Sequence, residues 1–164
     1  YMSYLAVVNI IKDISEGLNP NGVFLSGRKW DASLEFSSPN CQVYLYPMTS
    51  NIDLKNSYIE TWNCLMGLYF QDAPDSTPEE RDIIIASAGN LAQQILVALN
   101  TTSTIQIGTA RLEPSYRQMA GTYTGYLMSF TLTIANNICT TDTYVLNTDN
   151  MILTDTDNTP ITNT

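Results

Sequence analysis

Two hydrophobic rhythms run along this chain and divide it into helices and strands. From Ser3 to Glu16 apolar residues recur at helical spacing, with Leu5, Val8, Ile11 and Leu18 marking a stripe and Lys12, Asp13 and Glu16 on the wetter side. Gly17 is expected to stop this helix, and Asn19-Pro20-Asn21-Gly22 supplies turn chemistry after it. Val23-Phe24-Leu25 reads as a short strand before the basic turn Arg28-Lys29. Ala32, Leu34 and Phe36 then alternate with Ser33 and Glu35, the period of two that a half-buried strand requires. After a break at Ser37-Ser38-Pro39-Asn40, Cys41 to Tyr46 places Cys41, Val43 and Leu45 on one face and Gln42, Tyr44 and Tyr46 on the other. Pro47 to Asn56 reads as a polar loop.

Tyr58 to Phe70 is long for a strand, yet Trp62, Cys64, Met66, Leu68 and Phe70 keep strict alternation against Thr61, Asn63 and Gly67. An antiparallel sheet with one covered face and one wetter face produces this pattern. Thr77-Pro78-Glu79-Glu80 then combines an N-cap, a proline at the first helical position and a capping-box glutamate. The helix it starts is predicted to run to about Leu99, with Ile84, Ala88, Leu91, Ile95 and Leu99 inward. Thr104 to Leu112 is a strand facing inward through Ile105 and Ile107, ended by Glu113-Pro114. Tyr123 to Ala135 is another long strand, its core face Tyr126, Met128, Phe130, Leu132 and Ile134. The expected fold is α+β: a mostly antiparallel sheet of about five strands packed with two helices, plus an extended C-terminal arm.

Composition shifts after residue 135, dividing the chain into an α+β domain, 1–135, and a Thr/Asn/Asp-rich tail, 136–164. The tail holds two small apolar clusters, Tyr144-Val145-Leu146 and Met151-Ile152-Leu153. Such a segment cannot bury enough surface to order itself. It is expected to dock on a neighbouring subunit, through a hairpin around Asn147-Thr148-Asp149-Asn150 or as a strand added to a partner's sheet.

Charge narrows the function. Charged residues are only 14% of the chain, against roughly 25% in an ordinary soluble domain, which favours polar, uncharged surfaces suited to protein contact. Seven Lys and Arg face 16 Asp and Glu, and the last basic residue is Arg117, so a basic stripe that neutralises phosphates is absent. Sequence-specific nucleic-acid binding is therefore not expected, although an acidic surface suits DNA that must slide past without sticking. No apolar run of about 18 residues and no signal-like segment is read in the chain, so a soluble chain without a membrane is expected.

Candidate chemistry is sparse. The chain has no histidine, which removes Ser-His and Cys-His catalysis and His-based metal sites together. Cys41, Cys64 and Cys139 are odd in number and far apart, so buried thiols are expected rather than zinc or a disulfide framework. Ser26-Gly27-Arg28-Lys29 is a formal SxxK, but it follows a strand and lacks the KTG and SDN partners that such nucleophiles need. Asp72 with Asp75, and Glu79 with Glu80, are the carboxylate pairs. The first sits in a turn and the second is explained by helix capping. Asp155-Thr156-Asp157-Asn158-Thr159 begins like a calcium loop but has Pro160 where glycine is needed. The expectation is a protein without catalytic residues, metal or cofactor.

The order of helix, short strand, paired strands, capped helix and two strands resembles the tail-terminator and tail-completion proteins of bacteriophages, and related head–tail connector subunits. The residues that carry this likeness span roughly 2–135: the amphipathic first helix, Val23-Phe24-Leu25-Ser26-Gly27-Arg28, the Pro39 to Tyr46 and Tyr58 to Phe70 strands, and the second helix after an Asp/Pro-rich turn. The resemblance implies a structural virion protein in a tail or neck, assembled in the host cytoplasm. It further implies a ring, a hexamer or dodecamer, that contacts other virion proteins and lets DNA pass. Candidate subunit contacts are Trp30, Tyr44, Tyr46 and Tyr58, with Tyr144, Val145, Leu146, Met151, Ile152 and Leu153 in the tail. The alternative is a carbohydrate- or peptide-binding module that stacks ligands on exposed Tyr44, Tyr46, Tyr58 and Tyr123, aided by Trp30.

Overall fold

Ser3 opens the first helix, α1 (Tyr4–Leu18), its hydroxyl accepting a hydrogen bond from the Ala6 N–H at 3.2 Å. In the computed structural model, which describes residues 3–27, 40–53, 59–102, 105–117 and 123–134, this helix buries Val7, Val8, Ile11 and Ser15. Leu5 and Leu18, expected on the buried stripe, face solvent instead, because the inward stripe is turned by one position toward Val7 and Ile14. Gly17 does not end the helix. Its last turn closes at Asn19, whose N–H donates to the Ser15 carbonyl at 2.9 Å and whose side-chain amide donates to the Cys41 carbonyl at 2.8 Å. Gly22 is required beside that contact, since a Cβ there would lie 2.3 Å from the same carbonyl.

Six strands form one sheet among the described residues: β1 (Val23–Ser26), β2 (Gln42–Leu45), β3 (Thr49–Asp53), β4 (Ile59–Gln71), β5 (Ile105–Arg117) and β6 (Tyr123–Ile134). Its order is β1-β2-β4-β6-β5, with β3 also on β4; β1 and β2 run parallel, and every other pairing is antiparallel. The spine is the β4–β6 pair, in unbroken register from Glu60↔Ile134 to Gln71↔Tyr123. The second helix, α2 (Pro78–Asn100), and α1 cover one face of this sheet. Val43, Leu45, Trp62, Cys64, Met66, Leu68, Met128, Phe130, Leu132 and Ile134 meet Val7, Ile11, Ala88, Ala92, Ile95 and Leu99 there. The alternation read from β4 and β6 is thus the alternation of the core, and the fold is α+β with a mostly antiparallel sheet.

Two strand expectations need correction. Residues 49–53 are a strand rather than a loop, pairing Thr49↔Asn63 through Asp53↔Ile59. All five are exposed, so no inward position existed to write a period of two into the sequence. Between Leu45↔Met66 and Thr49↔Asn63 the register slips by one residue around Pro47, while Met48 tucks into the core against the Cys64 sulfur at 3.4 Å. The second correction is β5, which continues through Glu113-Pro114 to Arg117. Among the described residues it is an edge strand, where the N–H that Pro114 lacks can point away from the sheet. The strand expected around Ala32, Leu34 and Phe36 lies outside the described residues, as does the tail.

The capping box of α2 forms as read: the Glu80 N–H donates to the Thr77 hydroxyl at 3.2 Å, and the Thr77 N–H donates to Glu80 Oε2 at 2.8 Å. Thr77→Ala is therefore expected to cost about 1 kcal/mol in chemical denaturation. A loss below about 0.3 kcal/mol would show that packing alone sets the helix start.

Candidate functional site

Three groups of side chains stand out, and the first is a buried carboxylate. Asp72 lies where β4 ends, β6 begins and α2 starts, its side chain fully buried. Arg81 Nε of α2 donates to its Oδ2 at 3.2 Å, and the Thr124 hydroxyl of β6 donates to the same oxygen at 2.8 Å. Arg117, last residue of β5, brings its Nε to 3.8 Å. Burial alone would raise this carboxyl's pKa; hydrogen bonds from Ser76 and Thr124 and the charge of Arg81 more than reverse that and hold it below the usual value. Arg117 takes a left-handed backbone conformation (φ 46°) that places its N–H on the Thr124 hydroxyl at 3.2 Å and its guanidinium on the Pro74 carbonyl at 3.2 Å. Arg81 also donates to the Ser76 carbonyl. Asp72 is thus a tie between four elements rather than half of an acid–base pair. Its sequence neighbour Asp75 is exposed, and Glu80 is committed to the cap.

The second group is aromatic and lies on the sheet face away from the helices. Tyr44 is 1% exposed and Tyr123 6%; with Tyr69 they form a small second core, against which Leu25 and Tyr46 pack. The Tyr44 and Tyr46 rings meet edge-on at 4.9 Å, and the Tyr46 and Tyr69 hydroxyls lie 3.3 Å apart. Burial pushes the Tyr69 and Tyr123 hydroxyls above their ordinary pKa. The expectation that Tyr44 and Tyr123 are exposed is therefore corrected: both are buried in this second core, and Gly67 leaves space on the same face into which the Tyr69 ring folds. Tyr69, which fills the space over Gly67, was not singled out from the sequence. Of the other candidates, Tyr46 is half-buried, and Trp30, Tyr58, Tyr144, Val145, Leu146, Met151, Ile152 and Leu153 lie outside the described residues.

The third group was missed from the sequence and is the outer face of α2. Ile83, Asn90 and Val97 follow each other at intervals of seven and form one exposed line along the helix, with Ile83 67% and Val97 64% exposed. Gln93 and Gln94 flank it. No Asp, Glu, Lys or Arg occurs from Ile83 to Ala110, a signal available in the sequence. Val97, Ala98, Asn90, Gln93 and Gln94 join Leu18 of α1 in an open groove of about 530 Å³. A second groove at the other end of α2 is lined by Ile83, Ile84 and the Gln71–Glu80 turn. By length and composition α2 is also able to cross a membrane, which qualifies the expectation drawn from apolar runs. Here its inner side belongs to the core, and its outer side mixes Ile83 and Val97 with amides.

Cys41 and Cys64 are buried free thiols, both pushed up to about 12 by burial, and so poor nucleophiles at neutral pH. Ser26 ends β1, while Lys29 of the formal SxxK lies outside the described residues. Among the described residues no group of three or more His, Cys, Asp or Glu is placed to hold a metal ion. No family model matches the chain, and no curated protein matches it.

Proposed function

We propose that this chain is a structural subunit that self-associates into a closed ring, of the kind that caps or joins a phage tail or neck. The observation that carries the reading is the outer face of α2. A chain of net charge −9 repels its own copies over most of its surface. The α2 face is uncharged and displays two large aliphatic side chains, so a copy can approach it without desolvating ions. A further support lies at the far end of the sheet. Glu60 is buried there, and among the described residues neither its Oε2 nor the indole N–H of Trp62 beside it has a hydrogen-bond partner. Orphaned buried groups of this kind are stabilised when an incoming chain supplies a partner.

The phage assignment itself comes from the order of elements and the resemblance it carries. The stacking-platform alternative loses support, since Tyr44 and Tyr123 are packed against other tyrosines.

Native mass measurement tests the reading. A closed multimer at micromolar concentration is expected; a stable monomer there overturns it. Val97→Asp is expected to weaken association at least about tenfold. The subunit's own stability should change by less than about 0.5 kcal/mol, because Val97 touches solvent rather than core. An unchanged multimer with Val97→Asp would remove α2 from the interface.

A further inference from the structure

We propose that the outer face of α2 is the dock for the segment Tyr144–Leu153 of a neighbouring copy. This rests on the self-assembly reading and names the partner of that face. The first support is spacing. Ile83 and Val97 are 14 residues apart on one helical line, about 21 Å at 1.5 Å per residue. In the segment, Val145 and Ile152 centre two apolar triplets seven residues apart, about 23 Å when extended. Two apolar pegs therefore match two apolar points, each with a groove beside it, uncharged at Val97 and including Asp75 and Glu80 at Ile83. Midway between Ile83 and Val97 stands Asn90, and midway between the triplets stand Thr148 and Asp149, so polar groups meet polar groups.

The second support is charge. The segment has one carboxylate, Asp149, and no cation. Like-charge repulsion would exclude it from most of an acidic surface, but α2 carries no charge from Ile83 to Asn100. The third is connection. The segment follows β6, whose last residue, Ile134, pairs with Ile105, and the Ile105 N–H donates to the Thr102 carbonyl just past α2. β6 thus ends beside the C-terminal end of α2, and a stretch of ten residues, 135–144, is long enough to span roughly 33 Å. Donor segment and acceptor face are different patches of one chain, the condition for a head-to-tail contact that repeats around a ring.

Two other sites fit less well. The Asp72 cluster has its charges paired within the chain, and the tyrosine cluster is closed by its own members.

The test uses full-length chains. One carries Val97→Cys; a second, distinguishable in mass, carries Val145→Cys or Ile152→Cys; both carry Cys139→Ser. Cys41 and Cys64 are buried and unreactive enough to remain in place. The two chains are co-expressed and treated with a short bismaleimide. Covalent heterodimers are expected with one or both segment cysteines, and Ile83→Asp on the acceptor chain should reduce them at least fivefold. Absence of heterodimers in a sample that is multimeric by native mass overturns the proposal while leaving self-assembly standing. So does a chain carrying both cysteines that links only to itself. A wild-type chain that stays monomeric overturns the self-assembly reading itself, and the proposal with it.

Discussion

Gly125→Ala abolishes the native fold or lowers its stability by about 3 kcal/mol or more, read from the denaturation midpoint. The position is in β6, an interior strand, opposite Tyr69 of β4 and Ser115 of β5. A Cβ there would sit 1.8 Å from the Leu68 carbonyl oxygen and 2.8 Å from its carbon. Both obstacles are backbone in a strand held by neighbours on each side, so neither can swing away, and the β4–β6 register must part to admit the methyl group. Gly67→Ala is the informative contrast. The nearest atoms to its Cβ would be those of the Tyr69 ring, at 2.1 Å, a side chain able to rotate at the expense of its contact with Tyr46. It should cost about 1–2 kcal/mol. Equal losses for the two variants would refute the backbone explanation.

Asp72→Ala is the second large effect, expected to remove about 3 kcal/mol at neutral pH and roughly 10 °C of melting temperature. The loss stays at the low end for a buried charge pair because Arg81 and Arg117 retain some solvent. Sign and pH window follow from the depressed pKa. A carboxylate held below its unfolded-chain value of about 4 contributes stability in full above that pH and loses it as pH falls through the lower folded value. The gap between wild type and Asp72→Ala should therefore be constant from pH 7 to about 5 and shrink below about 4. A variant within 0.5 kcal/mol of wild type at pH 7 would mean that the four elements hold without their tie.

The legible parts of this fold share one property: each had a buried face. Trp62, Cys64, Met66 and Leu68, and Met128, Phe130, Leu132 and Ile134, alternate because one side of the sheet is covered, and that alternation located β4 and β6. The α2 cap was equally plain, because Thr77 and Glu80 satisfy orphan N–H groups locally. β3 left no trace because every one of its residues is exposed. Pro114 disguised β5, since the harm proline does to a strand depends on whether that strand is at an edge, which only topology decides. The tyrosines were assigned to the correct face but the wrong environment. Whether Tyr44 meets solvent or Tyr69 is settled by small residues on strands distant in sequence. The α2 face went unread for a different reason: its signal is a missing class of residue, and attention falls on chemistry that is present.

The place of β6 has a consequence for how the chain comes into being. It is the last described strand in sequence, yet it lies inside the sheet between β4 and β5. During synthesis β4 is complete long before Tyr123, and the gap between Asp72 and Thr124 is 52 residues. At about 5–20 residues per second, β4 waits roughly 3–10 s with its apolar side uncovered on one flank. A fragment ending before β6 can pair β1, β2, β3 and β4, but it leaves one edge of β4 open and β5 without its neighbour, so the sheet is completed only when β6 inserts. Slowing translation just before the Tyr123 codon lengthens this delay and should raise the insoluble fraction.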